Sequence, residues 1–223
     1  MRKRIIAFIS VIVVILVAVV GYNLYNNRQT RSNSSTVGRQ SSQQVTRSKT
    51  TKSNGNGKTL VVYFSRKEGV SGGPLKVGNT KVIADYIQQH TGADEYEIKA
   101  AKSYPKGYQA TADQAQKEQE NNARPKIKGS LPDVSKYDTV FVGAPVWWGE
   151  YPMIVRTFLD ATDLNGKTVI PFTTHMGSGL GNTQEQLEKQ YPKAKVRKGL
   201  GVEGTEAKNS KGTVDKWLNK LGY

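Results

Sequence analysis

The hydrophobic pattern changes character twice along the chain. Ile5–Val20 is an almost unbroken apolar run, IIAFISVIVVILVAVV, behind Arg2, Lys3 and Arg4. Continued through Gly21 to Tyr25, it reaches the length that crosses a bilayer as a helix, with Tyr22 and Tyr25 placed as interfacial aromatics. Over 26–57 only Val37 and Val45 are apolar, among Asn, Ser, Thr, Gln, Gly, Arg and Lys. Such a stretch buries too little to offset its ordering entropy, which predicts a disordered polar, basic linker over 26–58 with a reach of roughly 30 Å.

From Thr59 short apolar runs alternate with amphipathic stretches. Strands are predicted at Leu60–Phe64, Glu95–Ile98, Thr139–Gly143, Thr168–Phe172 and Lys195–Lys198. Helices are predicted at 80–90, with Val82, Ile83, Tyr86 and Ile87 on one face, then at 108–122, Met153–Ala161, 183–190 and Val214–Leu221. Five strands alternating with helices predict an α/β fold, a doubly wound parallel sheet over 59–223 covered on both faces.

Charge refines this division. The net charge is +15, yet residues 1–58 hold ten Lys/Arg and no acid, whereas 59–223 hold 23 basic and 18 acidic residues. The basicity therefore belongs mainly to the amino-terminal segment. Arg2, Lys3 and Arg4 favour a cytoplasmic N-terminus, and Arg28 and Arg31 oppose it more weakly. The expectation is a single-pass anchor over 1–25 in the cell membrane, with the folded domain extracytoplasmic. A cleaved signal peptide is the competing reading, although Ala18-Val19-Val20 is a poor cleavage site. With no cysteine, disulfides, thiolate catalysis and lipoprotein anchoring are excluded, and His90 and His175 show no metal-ligand spacing. Nucleic-acid binding is not expected, because the basic run beside the anchor lacks interleaved aromatics.

In a doubly wound sheet, ligands bind beyond the carboxyl ends of the strands at the switch in strand order. Three loops there are unusual. After the first strand comes SRKEGVSGGPLKVGNT, 65–80, whose Gly78-Asn79-Thr80 opens a helix with free N–H groups suited to an anion. Ser65 and Thr80 add hydroxyls; helix capping alone is the plainer use of Asn79 or Thr80. After the third strand comes GAPVWWGEYP, 143–152, where Trp147 and Trp148 offer flat surfaces for a planar ring. After the fourth comes TTHMGSGLGN, 173–182, rich in backbone donors; His175 is assigned no acid–base work. The Gly-Lys-Thr at 166–168 lacks the first glycine of a phosphate-binding loop, and GLGVEG at 199–204 matches a dinucleotide pattern by chance, with no helix following.

VVYFSR…GNT, KYDTVFVGAPVWWGEYP and GKTVIPFTTHMGSGLGN together resemble the flavodoxin family, over essentially all of 59–223. The resemblance implies a five-stranded sheet of order 2-1-3-4-5 that binds FMN noncovalently. It implies Ser65, Arg66, Gly78, Asn79 and Thr80 at the phosphate, and Pro145, Val146, Trp147, Trp148 and Gly149 along the ring. Thr174, His175, Gly177, Ser178 and Gly179 would meet the ring's polar edge. No catalytic or metal-binding residue is implied. The chain departs from the family's short form in an eleven-residue insertion, Lys67–Val77, expected to gate the cofactor or meet a partner, and in its mildly basic domain.

The expected function is a membrane-tethered FMN electron carrier, exchanging electrons with donor and acceptor proteins or small-molecule acceptors. An FMN-dependent NAD(P)H oxidoreductase acting on quinones or similar acceptors shares these features. A binding module without flavin is the third class, and the intact loops argue against it.

Overall fold

The computed structural model describes residues 57–223. The expected anchor and all but the end of the expected linker lie outside the described residues. Among those described, no helix is long and apolar enough to cross a membrane.

Alternation at Leu60–Phe64 divides one strand between two cores. Leu60, Val62 and Phe64 face one side of the sheet, Val61 and Tyr63 the other. This strand, β1 (Thr59–Tyr63), pairs in parallel with β2 (Asp94–Glu97) and β3 (Thr139–Pro145). β3 in turn pairs with β4 (Thr168–His175) and β4 with β5 (Lys195–Val196), and the strand order is β2-β1-β3-β4-β5, as expected. The central β3 is buried from Thr139 to Ala144; strands covered on both faces read as continuous apolar runs.

The connecting helices are α1 (Asn79–Thr91), α2 (Tyr108–Glu120), α3 (Met153–Asp160), α4 (Thr183–Gln190) and α5 (Lys211–Leu221). Ile83, Ala84 and Ile87 of α1 join Val214, Trp217 and Leu218 of α5 over Val61, Phe141, Ile170 and Phe172. Ile154, Phe158 and Leu159 of α3 and Leu187 of α4 cover Leu60, Val62, Val140 and Val142. Each fully buried Val, Leu, Ile or Phe among them contributes about 1.5–3 kcal/mol relative to exposure.

Two expectations are corrected. On α1 the buried stripe is Thr80, Ile83, Ala84 and Ile87. Val82 and Tyr86 are half-buried, and the Tyr86 hydroxyl reaches the Lys208 carbonyl at 2.7 Å. The last strand does not end at Lys198. β5 (Lys195–Val196) stops early and β6 (Leu200–Glu203) resumes beside β4. Val169 faces Val196 and Phe172 faces Leu200, so three steps of β4 oppose four of its neighbour. The extra residue is a bulge across from Pro171, which has no N–H to donate. Gly199 packs there, where an added Cβ would lie 2.6 Å from the Pro171 carbonyl oxygen. The GLGVEG match is thus an edge strand and not a phosphate loop.

Candidate functional site

The loops after β1, β3 and β4 meet at the carboxyl end of the sheet. α1 starts at Gly78, whose N-cap position supplies no side-chain hydrogen bond. Ser65, just past β1, accepts the Lys81 N–H at 3.1 Å instead. The N–H groups of Asn79 and Thr80 remain at the open helix end, with its partial positive charge. A Cβ at Gly78 would lie 2.3 Å from the Ser65 hydroxyl oxygen, so this approach requires glycine. Thr80 and Thr174 join α1 to β4 through their hydroxyls, buried and 2.8 Å apart.

Trp148 and Gly149 form a two-residue reversal, with Trp147 at its start. Trp147 and Glu150 exchange backbone hydrogen bonds of 3.0 and 3.1 Å, and Trp148 and Gly149 have φ of 50° and 86°. Positive φ at both central positions defines a type I′ turn, an uncommon conformation for tryptophan. Its fixings explain how it holds. The Glu150 carboxylate accepts from Gln119 of α2 on one oxygen and Gln186 of α4 on the other. The Gly149 carbonyl accepts the Asn182 N–H at 2.8 Å, and Gly181 comes so close that a Cβ would lie 2.2 Å from that oxygen.

The two rings part company. Trp147 packs edge-on against Tyr104 and Phe64, with centroids 5.2 and 5.5 Å away. Trp148 is 53% exposed, its indole N–H held by the Ala112 carbonyl at 3.0 Å. In the third loop, Thr173 donates to the Gly179 carbonyl at 2.9 Å, and the Gly177 N–H points at His175 Nδ1, 3.0 Å away. That contact makes Nδ1 the acceptor and leaves the proton on Nε2.

Arg66 turns to the inserted loop. It donates to the carbonyls of Pro105 at 2.6 Å and Glu68 at 3.0 Å, and lies over the Tyr104 ring. Burial pulls its pKa below the ordinary value. Tyr104 donates to Glu118 at 2.8 Å; burial first, and then that carboxylate, push its phenol well up. Gly69 N–H to the Lys106 carbonyl, at 2.8 Å, stitches the insertion to the chain after β2.

These elements enclose a cavity of about 340 Å³, within the range of small-molecule sites. Of the expected residues, Arg66, Asn79, Thr80, Pro145, Val146, Trp147, Trp148, Gly149, Thr174, His175 and Ser178 line it. Ser65, Gly78, Gly177 and Gly179 stand behind the lining, shaping the loops that do. The sequence reading missed one wall: Tyr108, Thr111, Ala112 and Ala115 of α2, together with Val70 and Leu75 of the insertion. Their i, i+3, i+4, i+7 spacing, three of the four small, was the available signal in a helix that read as merely polar. Gly204 and Met176 also line the cavity.

The flavodoxin family model matches residues 58–221. A protein of Bacteroides eggerthii with a provisional flavoprotein designation is 30% identical, covering 75% of this chain and 99% of its own, with a TM-score of 0.62. One of Bacteroides uniformis, with the same designation, is 32% identical over 74% and 99%, with a TM-score of 0.61. A Lactobacillus acidophilus flavoprotein solved in complex with FMN shares the fold at 23% identity over 73% and 99%, with a TM-score of 0.54. Curated protein sequences provide no match. By the family match and the likeness to the Bacteroides proteins, the chain belongs to the flavodoxin family.

Proposed function

We propose that the chain holds FMN noncovalently in this cavity and carries electrons through it, tethered to the cell membrane by residues 5–25 with its folded domain outside the cytoplasm. The observation that carries the reading is the convergence of an open helix start, a tryptophan turn and a donor-rich loop on one cavity. The FMN complex of the Lactobacillus relative agrees with it. The basic amino-terminal flank and the apolar run behind it support the tether.

The residues fit the cofactor. The N–H groups of Asn79 and Thr80 would hold the phosphate, on a loop that Ser65 and Gly78 shape from behind, and Arg66 would add positive charge. Pro145, Val146, Trp147, Trp148 and Gly149 border the ring and exclude water from it. Thr174, His175 and Ser178 would face its polar edge, on a loop shaped by Gly177 and Gly179. When bound, FMN supplies one- and two-electron chemistry, and the protein sets its orientation and potential. Glu150, between its two glutamines, keeps the turn in place.

The test is the visible spectrum of the purified full chain, followed by identification of the cofactor released by acid. Yellow protein releasing FMN is expected. Colourless protein that takes up no added FMN overturns the reading. Rapid steady-state turnover of NAD(P)H with menadione would move the function from carrier to quinone-reducing enzyme.

A further inference from the structure

We infer that the cavity rim is a docking face for a redox protein with an acidic surface. This rests on the flavin reading above and names the partner of that same site. Among the described residues three large hydrophobic side chains are exposed: Met176 at 61%, Tyr108 at 56% and Trp148 at 53%. All three border the one cavity, from the loop after β4, the start of α2 and the turn after β3. Exposed apolar groups gathered at one place mark a contact site, and tyrosine, tryptophan and methionine are enriched at interface centres. Trp148 is already held, through its indole N–H on Ala112 and its carbonyl, which accepts from Gln119 at 3.3 Å. A side chain ordered beforehand loses less entropy on docking.

Charge decides the kind of partner. The insertion and the segment 99–106 form one surface, joined by Gly69 to Lys106, Arg66 to Pro105, and Lys106 to Glu68 at 3.5 Å. That surface carries Arg66, Lys67, Lys76, Lys99, Lys102 and Lys106 against the single acid Glu68, with Glu97 beside Lys99. Lys67, Lys76 and Lys102 are exposed and have no carboxylate partner among the described residues. Across the cavity, next to Gly204, stand Glu203, Glu206 and Lys208, also exposed. The rim is therefore strongly basic on one side only, which both attracts an acidic protein and fixes its orientation. A small anion would use the lysines but has no need of the aromatic centre.

The full chain loaded with FMN and reduced by dithionite is mixed in a stopped-flow instrument with plastocyanin, an acidic copper protein, and with cytochrome c, a basic haem protein. One electron leaves the reduced flavin and converts Cu(II) to Cu(I), or Fe(III) to Fe(II). Plastocyanin is expected to react faster at low salt, its rate falling tenfold or more towards 0.5 M salt. The triple variant Lys67→Glu, Lys76→Glu, Lys102→Glu should lose at least tenfold with plastocyanin and gain with cytochrome c. Lys136→Glu, Lys193→Glu, Lys195→Glu changes the net charge equally at the opposite end of the strands and should shift either rate less than threefold. Retained flavin absorbance certifies folding and cofactor in each variant. Equal responses of the two triple variants, or loss confined to ferricyanide as oxidant, would overturn the docking proposal while leaving the flavin reading intact. A chain that binds no FMN would overturn both, and its spectrum would say so.

Discussion

The hydroxyls of Thr80 and Thr174 lie 2.8 Å apart in the interior, joining residues 94 positions apart in sequence. One stands in the first turn of α1, the other near the end of β4, so the contact sets the spacing between the first and third loops of the cavity. Thr174→Val leaves the Thr80 hydroxyl buried without this partner and should cost about 1–3 kcal/mol in urea denaturation. The double variant Thr80→Val, Thr174→Val should cost less than the two singles added together. Strict additivity would show that the contact contributes nothing.

Gly143 sits directly under Phe172. An added Cβ would fall 2.0 Å from the ring's Cζ, deep in the sheet and just before the tryptophan turn. Gly143→Ala should destabilise by about 1–3 kcal/mol through overpacking. Combining it with Phe172→Leu should recover part of the loss, and thermal denaturation of the three variants decides the point.

Gly149→Ala tests the turn. At φ of 86° a Cβ costs about 1–2 kcal/mol, and relief of the strain rotates the peptides that border the ring. On the FMN-loaded chain a shift in the first one-electron potential is expected. A potentiometric titration identical to that of the unaltered protein would count against a role for this backbone at the cofactor.

The two tryptophans should differ in kind. Trp147 supports Tyr104 and Phe64, so Trp147→Ala should cost about 2–4 kcal/mol of stability. Trp148 is exposed, and Trp148→Ala should change stability by about 1 kcal/mol or less. Guanidinium denaturation of both variants separates the roles; equal costs would refute the assignment.

Alkaline pH should weaken the fold. Burial holds the phenols of Tyr63, Tyr104, Tyr151 and Tyr191 above their usual range, with Tyr63 and Tyr191 pushed up to about 12. In the unfolded chain each ionises near 10. Stability is therefore fully present below pH 10 and falls as pH rises from there, by about 1.4 kcal/mol per pH unit for each such tyrosine. Tyr151→Phe should reduce that slope by about one group's share, as urea melts at pH 9, 10 and 11 would read.

The parallel sheet was legible because alternation and helical spacing are local signals, and Leu60–Phe64 and Thr139–Gly143 carry them strongly. The three cavity loops were legible because Gly78, Gly149 and the glycines after His175 have no use inside a helix or strand. The bulge in the last strand was not, since it depends on Pro171 lying opposite, a long-range relation of register. The α2 wall was missed for a different reason: Thr111, Ala112 and Ala115 suit any helix, and only the packing shows that their smallness makes room. Arg66 kept its place in the cavity lining, but its donors go to the carbonyls of Pro105 and of Glu68 in the insertion that the short form of the family lacks.

The broken last strand has a bearing on crowding. A sheet edge with a long run of unpaired backbone invites another chain's strand to add to it. Here one margin is four residues long and carries Asp94, Glu95 and Glu97, and the other is interrupted by the bulge after two residues. Neither offers a straight template for extension. Copies of this domain packed side by side find little straight backbone to pair with, which works against the strand-by-strand growth that turns neighbours into fibres.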